Sequence, residues 1–578
     1  MTLTWSVVFL VLAFQASAGV LNYNAQGQLQ RWNLTAPDGS VHTNVVNIKT
    51  HAVRYFLASD GWSDTNTVAE LNAIRVSFDQ WQAVPGLQLK CEDAGLVAPG
   101  VDINTSDNTN VIFWAKNSTL VNGGFDNIGG ALGYTFTGFF SEDNMLYEAD
   151  IVLNGVDYTW FTDRVHPSAN GYSVEGVAMH EIGHFLGIEH SPVGGATLFA
   201  RGGKGLNLQA GLAADDIQAI RTLYPAGATS RSWGGVRGQV RRKATGIMGA
   251  VIMVEDLTGN LIAGTVSRAN GIYELPSLAP GPYQLRVTPL DPFSGSLVSA
   301  DDISPDYGNA VIDFLPTSPQ ALAIAAGKTN TVNLAVTNGT PAFRITKIRP
   351  VTDNSGFSYG NAPTSIGVGQ SNLLVGVYGP TLPTGNATLM VSGDGITLDP
   401  PQFDPGAFSG LNLISATISI ASNATPGLRS FAVQQGSDIA YANGFLEILP
   451  AAPDYNFDGL DDNFQRTYFP RFTAPEAAPT ADPDGDGFNN YAEYVSGTNP
   501  TNAASFLNIE SVKVTAAGST VAWQGQAGKH YQVHSRNNLA KSTWVLAGKD
   551  FTSTNDLVQW LDPAVTNSFR FYRVRALP

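Results

Sequence analysis

The sequence predicts a chain of several domains, in which an α+β domain comes first and all-β sandwich domains follow. With 578 residues and domains of ~150 residues each, about four domains are expected. Only 14% of the residues are charged, whereas 60 are glycines, a composition typical of short strands joined by tight turns. Convincing helical patterns are confined to residues 19–225, where most of the histidines also lie. The first domain is therefore expected to combine helices with strands, and the remainder to be mainly β.

The acidic charge of the chain argues against a nucleic acid partner. There are 32 basic and 48 acidic residues, a net charge of −16, and such a chain repels a phosphate backbone. Acidic residues in tight clusters can instead hold cations. Cys91 is the single cysteine, so no disulfide can form within the chain, and stability must come from packed cores and bound cations.

Residues 1–18 have the pattern of a signal peptide. Residues 7–14 form a short apolar core, and Ala16-Ser17-Ala18 provides a small-x-small cleavage site. The alternative for this stretch is a buried first strand. The apolar run is too short for a membrane span, and no other long apolar run follows it. We expect a secreted, extracellular protein without a membrane span.

Three helices are predicted in the first domain, which is placed at residues 19–225. Ser173 is a good N-cap for the second helix, and the third, at residues 213–225, has acidic residues in its first turn. The first helix is predicted at residues 67–84, because apolar side chains recur there at the spacing of one helix face. These side chains belong to Val68, Leu71, Ile74, Phe78 and Trp81.

The segment HEIGHFLGIEHS, residues 180–191, holds three histidines and two glutamates. His180 and His184 are four residues apart and therefore share one face of a helix, where two imidazoles can bind one Zn²⁺. Glu181 lies about 100° around the helix, too far for a ligand but near enough to take a proton from a water at the metal.

A catalytic zinc takes three protein ligands and leaves one position open, so a third ligand must come from beyond the helix. Gly187 can end the helix in a left-handed conformation and turn the chain, which returns His190 to the metal. The alternatives are histidines on a solvated helix face and a purely structural zinc, which would need a fourth side-chain ligand.

The acidic segment at residues 452–503 contains two loops with the spacing of calcium ligands. DPDGDGFNNYAE matches D-x-D-x-D-G-x₅-E without a gap, and the short helix after it is expected to end at Gly497. The alternative is a solvated turn. The predicted Ca²⁺ ligands are Asp482, Asp484, Asp486, the carbonyl of Phe488, and Glu493.

The earlier loop, DYNFDGLDDNFQ, repeats the opening of this motif with Asp454, Asn456 and Asp458. Gln465 stands at the closing position, where an amide cannot give a charged bidentate grip. This loop is therefore predicted to be the weaker calcium site. The pair of loops resembles the dockerin and thrombospondin type 3 class of calcium repeats, which implies a stiffened connection between domains.

The histidine segment resembles the metzincin zinc metalloproteases, and Ser191 after the third histidine is similar to the matrixin (matrix metalloprotease-like) variant. ELNAIRVSFDQWQAVPGLQL, AADDIQAIRTLYP and ALGYTF, the last at residues 131–136, resemble the first helix and strand, the last helix and the substrate-binding edge strand of that family. The resemblance implies a metzincin fold, a twisted mixed sheet with three helices. It also implies His180, His184 and His190 as zinc ligands, with Glu181 as general base.

Two departures from the family pattern bear on the metal sites. Leu198 stands where the family has a methionine beneath the zinc, and leucine can preserve this apolar floor because the two residues have similar volumes. Between Asn117 and Trp160 there is no histidine, so the second, structural zinc of animal matrixins is not expected. One catalytic Zn²⁺ is therefore predicted.

The remainder of the chain divides into predicted β domains. Residues 234–340 resemble the carboxypeptidase regulatory-like (prealbumin-like) domain, through pieces such as NGIY and PGPY. Residues 341–450 are predicted to form an immunoglobulin-like sandwich and residues 504–578 a terminal β domain. No residue in these domains identifies the surface or polymer to which they could attach the chain.

The function predicted from the sequence is a secreted zinc-dependent endopeptidase that acts on protein or peptide substrates. The alternative is an extracellular adhesion or matrix-binding protein whose metzincin domain is inactive, which Leu198 favours and the retained Glu181 disfavours. Neither the substrate nor the oligomeric state is legible in the sequence.

Overall fold

The structure, a computed structural model, consists of two compact units, Met1–Ala451 and Ala452–Pro578. It describes residues 21–24, 26–34, 44–47, 49–104, 106–117, 130–164, 166–205, 209, 211–227, 229–352, 360–540, 542–563 and 569–578. The predicted signal peptide therefore lies outside the described residues. The described part is multidomain and mostly β, with six α-helices.

The first unit begins with a seven-stranded mixed sheet. Its strand order is β1-β7-β5-β3-β2, with β4 on β3 and β6 on β7. Strands β3, β5 and β7 are parallel, whereas β6 runs antiparallel to β7. A short parallel pair, β8 and β9, follows. The strands are β1 (Arg31–Trp32), β2 (Val46–Asn47), β3 (Ala52–Ala58), β4 (Cys91–Val97), β5 (Val111–Ala115), β6 (Gly133–Phe139), β7 (Met145–Asn154), β8 (Trp160–Phe161) and β9 (Tyr172–Ser173).

The three helices predicted before residue 226 are confirmed as α1 (Thr67–Ala83), α2 (Val174–Phe185) and α3 (Ala214–Leu223). The hydroxyl of Ser173 caps α2 by accepting from the N–H of Gly176. The predicted apolar face of α1 is buried except at Val68, which is 73% exposed. Val68 lies in the first turn, and the buried part of this face begins one turn later at Leu71.

Two pairs of sheets complete the first unit, one in each region for which the sequence predicts a sandwich. The first pair has the orders β11-β10-β14, with β17 and β18 on β10, and β13-β12-β15-β16. Both sheets bury side chains in one common core. The strands are β10 (Gly234–Arg242), β11 (Thr245–Gly246), β12 (Ala250–Asp256), β13 (Leu261–Val266), β14 (Ile272–Leu278), β15 (Gly281–Pro289), β16 (Gln320–Ile324), β17 (Thr329–Thr331) and β18 (Leu334–Ala335). Between β15 and β16 lies the short helix α4 (Ala300–Ile303).

The second pair has the orders β19-β21-β25-β23, with β24 on β25, and β20-β27-β26-β22. These sheets also share one apolar core. The strands are β19 (Lys347–Thr352), β20 (Thr364–Gly367), β21 (Leu373–Gly379), β22 (Thr388–Val391), β23 (Ile396–Leu398), β24 (Gln402–Phe408), β25 (Leu411–Ile420), β26 (Gly427–Gln435) and β27 (Asp438–Leu449).

The second unit consists of two short helices followed by two sheets around a core that contains the buried Trp523 and Tyr531. The sheets have the orders β28-β29-β33 and β31-β30-β32, with β34 on β30. The elements are α5 (Asp462–Tyr468), α6 (Asn490–Ser496), β28 (Ile509–Thr515), β29 (Gly518–Gln524), β30 (His530–Arg536), β31 (Val545–Leu546), β32 (Phe551–Thr552), β33 (Leu557–Asp562) and β34 (Phe571–Leu577). The helix predicted to end at Gly497 is confirmed as α6, with φ of +77° at that glycine.

Among the described residues, no helix is both long enough and apolar enough to cross a membrane.

Candidate active site and metal centres

The three histidines of the first motif converge at the end of α2. His180 and His184 lie one turn apart, and Gly187, with φ of +93°, turns the chain back so that His190 joins them. One ligand atom from each histidine lies within 4.8 Å of the other two. The structure thus brings together all three predicted zinc ligands.

The hydrogen bonds of the rings fit a metal between them. Nδ1 of His180 lies 2.8 Å from the carbonyl oxygen of Thr197, and Nδ1 of His184 lies 2.7 Å from that of Ile188. Because a carbonyl only accepts, each Nδ1 carries the proton and each Nε2 presents a lone pair. The two Nε2 atoms are 3.1 Å apart, a repulsive arrangement that a shared cation would relieve.

Burial lowers the pKa of two of the three imidazoles. Burial and repulsion from His184 lower the pKa of His180 to about 3. Burial, with repulsion from His184 and His180, lowers the pKa of His190 well below its usual value. Neutral imidazole is the form that binds a metal ion, so the lowered pKa values favour metal binding by His180 and His190.

Glu181 is held beside the histidines by β6. Its Oε2 accepts a hydrogen bond of 2.7 Å from Oγ1 of Thr135, which also donates to its main-chain carbonyl. A β-carbon on Gly133 would lie 2.8 Å from Oε1 of Glu181, so glycine leaves room for the carboxylate. Burial raises the pKa of Glu181, and His184 and Thr135 lower it in part; a raised pKa makes the carboxylate a better proton acceptor.

Leu198 forms the apolar floor at the position where a methionine is expected. It is fully buried, and a β-carbon on Gly183 would come within 2.5 Å of its Cδ2. The carboxylate of Asp216 accepts from the N–H groups of Thr197 and Leu198 at 2.8 and 3.1 Å. Asp216 therefore fixes both the floor and the carbonyl that orients His180.

Sequence reasoning missed Thr135, Gly133 and Asp216 as parts of the site. Asp216 was interpreted as one of the acidic residues that favour the start of α3. Thr135 and Gly133 lie two apart in the segment identified as an edge strand, and this period of two would have placed both on one face. The sequence does not show which helix packs against that face of the strand.

An open cleft of about 500 Å³ leads to the histidines and Glu181. It is lined by β6, α2, the turn that carries His190, residues 199–209 in part, and residues 301–305 in part. The cleft is large enough for a few residues of an extended chain. Its lining includes residues from well beyond the first sheet and its helices.

The loop at residues 482–493 arranges its carboxylates around a common point. One oxygen from each of Asp482, Asp484 and Asp486 lies within 4.8 Å of the others. One buried oxygen on each of Asp484, Asp486 and Glu493 has no hydrogen-bond partner. Burial and repulsion from the three aspartates raise the pKa of Glu493 to about 7. A hydrogen bond from Thr498 lowers this pKa in part.

Calcium is the cation that this donor set fits, since Ca²⁺ takes several carboxylate oxygens and accepts an irregular geometry. The N–H of Gly487 donates to Asp482 at 3.0 Å, and that of Phe488 donates to Asp486 at 2.8 Å. These bonds shape the loop in which Asp482, Asp484 and Asp486 meet. The carbonyl ligand at Phe488 stays a prediction.

The loop at residues 454–465 satisfies its own carboxylates. Oδ2 of Asp458 accepts from the amide of Gln465 at 2.8 Å and from that of Asn456 at 3.0 Å. Asp454 accepts from the N–H groups of Asp458 and Gly459. Amide donors here occupy oxygens that a calcium ion would need. The weaker calcium site at this loop stays a prediction.

Residues 47–225 match the family model of the matrixins, and residues 235–292 match that of the carboxypeptidase regulatory-like domain. The chain therefore contains a matrixin domain, which suggests a zinc metalloprotease, followed by a carboxypeptidase regulatory-like domain. No curated protein matches the chain.

Two solved structures from bacilli are similar to parts of the chain at low identity. The Bacillus anthracis TIE protein is 14% identical, with 38% of this chain and 34% of that chain covered and a TM-score of 0.13. BcpA, the major pilin subunit of Bacillus cereus, is 11% identical, with 59% and 87% covered and a TM-score of 0.15. The chain thus spans about a third of the TIE protein, and TM-scores this low carry no argument about function.

Proposed function

We propose that the chain is a secreted zinc-dependent endopeptidase. The observation that carries the proposal is the convergence of three imidazoles beside a buried glutamate at the floor of an open cleft. The matrixin domain supports the same reaction class. The signal-peptide pattern at residues 1–18 supports export.

Each residue of the site has a task in the hydrolysis of a peptide bond. His180, His184 and His190 would hold the metal and leave its cleft side open. When bound, Zn²⁺ polarises the scissile carbonyl and lowers the pKa of a water. The carboxylate of Glu181 takes the proton of the attacking water and delivers it to the leaving amine.

The neighbours of Glu181 prepare it for this role. Thr135 donates to Oε2 of the glutamate and so holds that oxygen in one direction. The other oxygen, Oε1, lies against Gly133, where a larger residue would displace it. Strand β6, which pairs with β7 on one side, would receive an extended substrate along the cleft, as its resemblance to the family's edge strand implies.

We further propose that residues 482–493 bind Ca²⁺ and that residues 454–465 bind it more weakly. The supporting observation is the set of unpaired, buried carboxylate oxygens in the later loop. The role assigned to the ion is to stiffen the segment at residues 452–503. Chelation should then increase proteolysis within this segment, and unchanged proteolysis would contradict that role.

Zinc content measured together with digestion of casein or gelatin tests the peptidase. We expect one Zn²⁺ in each chain, digestion that stops when a chelator removes the zinc, and recovery when zinc is restored. Zinc without digestion of any protein substrate would favour the alternative, an adhesion or matrix-binding protein with an inactive metzincin domain. A chain that binds no zinc would overturn the proposal.

A further inference from the structure

The three histidines differ in where their main-chain polar neighbours come from. Those of His180 and His184 belong to Thr197 and Ile188, both within the matrixin domain. At His190 the main chain of Asp302 is instead the polar neighbour, and it raises the pKa of this ring in part, against the larger effect of burial. Asp302 lies in α4, beyond residue 225 and therefore outside that domain.

The side chain of Asp302 holds this main chain in place from two directions. Oδ2 accepts from the N–H and the hydroxyl of Ser299, each at 2.7 Å, which closes the first turn of α4. Oδ1 accepts from Nε of Arg201 at 2.6 Å and pairs with its Nη2. Only 6% of the aspartate side chain is exposed, so the ion pair is a partly buried clamp between α4 and the loop that follows Leu198.

The loop between His190 and Leu198 is also fixed by residues beyond 225. Val193, Ala196 and Phe199 belong to one apolar core with side chains of the later sheets. The N–H of Gly194 donates to the carbonyl of Asn443 at 2.9 Å. The later sheets therefore pack against the turn that follows His190 and help to hold it in place.

Helix α4 also contributes to the wall of the cleft itself. Asp301, Ile303, Ser304 and Pro305 line the same cavity as the histidines and Glu181. The segment therefore reaches the site both through a zinc ligand and through the surface that a substrate would meet. A domain that served only to attach the chain to a target would not be expected to contact either the zinc ligand or the cleft wall.

We propose that Asp302 is a positioning residue for the zinc ligand His190, and that the region after residue 225 is part of the active site. The inference rests on the zinc site of the proposed function, and it assigns the positioning of His190 in that site to the α4 clamp. The partners are the Asp302 main chain, which orients the ring, and Arg201, which holds Asp302. Metal-ligand partners of this kind change affinity without contacting the metal.

The test compares zinc dissociation constants, measured by competition with a coloured chelator, in four forms of the full chain. These are the wild type, Arg201→Gln, Asp302→Asn, and the control Arg242→Gln. Arg242 forms an ion pair of 3.0 Å with Asp313, and 30% and 58% of these side chains are exposed. The control therefore removes a salt bridge in the region after residue 225 without altering the clamp.

We expect Arg201→Gln and Asp302→Asn each to weaken zinc binding by about 10-fold or more, the range measured for residues that orient a ligand. Arg242→Gln should match the wild type. The visible spectrum of the Co²⁺-substituted protein should change in the two clamp variants and not in the control, because it reports the geometry of the ligands. A loss of thermal stability alone would move neither readout.

Equal zinc affinity in all four folded forms would overturn the inference and leave the proposed peptidase intact. A wild type that binds no zinc would overturn both. If Asp302→Asn does not fold, Arg201→Gln decides the matter alone, since it alters only the partner of the clamp.

Discussion

The histidine centre of the first unit and the acidic loop of the second differ in how their ligands are held. Nδ1 of His180 and of His184 is fixed by a main-chain carbonyl, whereas Asp484, Asp486 and Glu493 each keep a buried oxygen without a partner. These two rings are therefore oriented by the main chain, whether or not an ion is bound. The carboxylates repel one another, so we expect their loop to gain stability when a cation binds.

This difference predicts that the acidic loop is stabilised by calcium and that Glu493 carries most of the effect. At about 100-fold excess over its dissociation constant, a ligand stabilises a fold by about 2.7 kcal/mol. Glu493→Gln removes the charged closing ligand, and we expect calcium binding to weaken by about tenfold or more, since ligand charge sets affinity in such loops.

Calorimetric titration with calcium measures this change, and Glu510→Gln, at an exposed position of β28, is the matched control. Calcium binding of equal strength in Glu493→Gln and in the control would contradict the assignment of Glu493 as a calcium ligand of the acidic loop.

The raised pKa of Glu493 predicts a pH dependence of the calcium-free protein. Its pKa is about 7 in the folded state against an ordinary 4.5, so the folded state binds more protons than the unfolded state between these values. The free energy of unfolding of the second unit, measured without calcium, should therefore fall as pH rises from 4.5 to 7. Thermal unfolding at several pH values measures the slope.

Two further forms isolate the cause of that slope. Glu493→Gln should lose most of it, because the titrating group is gone. Saturating calcium should flatten it in the wild type, because the ion favours the charged carboxylate. A slope that persists unchanged in Glu493→Gln would show that other acidic groups produce it.

The smallest effect is expected at the floor of the histidine centre. Leu198→Met conserves volume, and such changes in a core cost less than about 1.5 kcal/mol. Zinc affinity and digestion of casein should stay within about twofold of the wild type, because the cost falls on the stability of the fold and neither leucine nor methionine is a zinc ligand here. Gly183→Ala is the contrasting variant, because its methyl group would meet Leu198 at 2.5 Å and displace it. A change of tenfold or more in zinc affinity or in digestion for Leu198→Met would contradict this prediction. It would mean that the floor needs leucine itself and not only an apolar side chain of similar volume.

How much of each site could be predicted depends on how local its residues are in the sequence. The spacing from His180 to His190 spans one helix and one glycine turn, so helix geometry alone brings the three rings together. The acidic loop is likewise contained within residues 482–493. Thr135 and Asp302 could not be found this way, because their contacts depend on the register of β6 and on how α4 packs.

The first loop of the acidic segment shows the limit of motif matching. Its opening residues repeat those of the later loop, yet Gln465 and Asn456 donate to Asp458. The sequence indicated a weaker site from the missing charge at Gln465. Only the structure shows that the amide also occupies an oxygen of Asp458.

The most direct test of the account is Glu181→Gln, assayed for both zinc content and casein digestion, with the exposed Glu142→Gln as control. The variant should bind one zinc as tightly as the wild type, because Glu181 is not a ligand. Its turnover should fall by about 10²-fold or more, the contribution of a general base. Zinc retained with full digestion would contradict the role of Glu181 and, with it, the mechanism proposed for the chain.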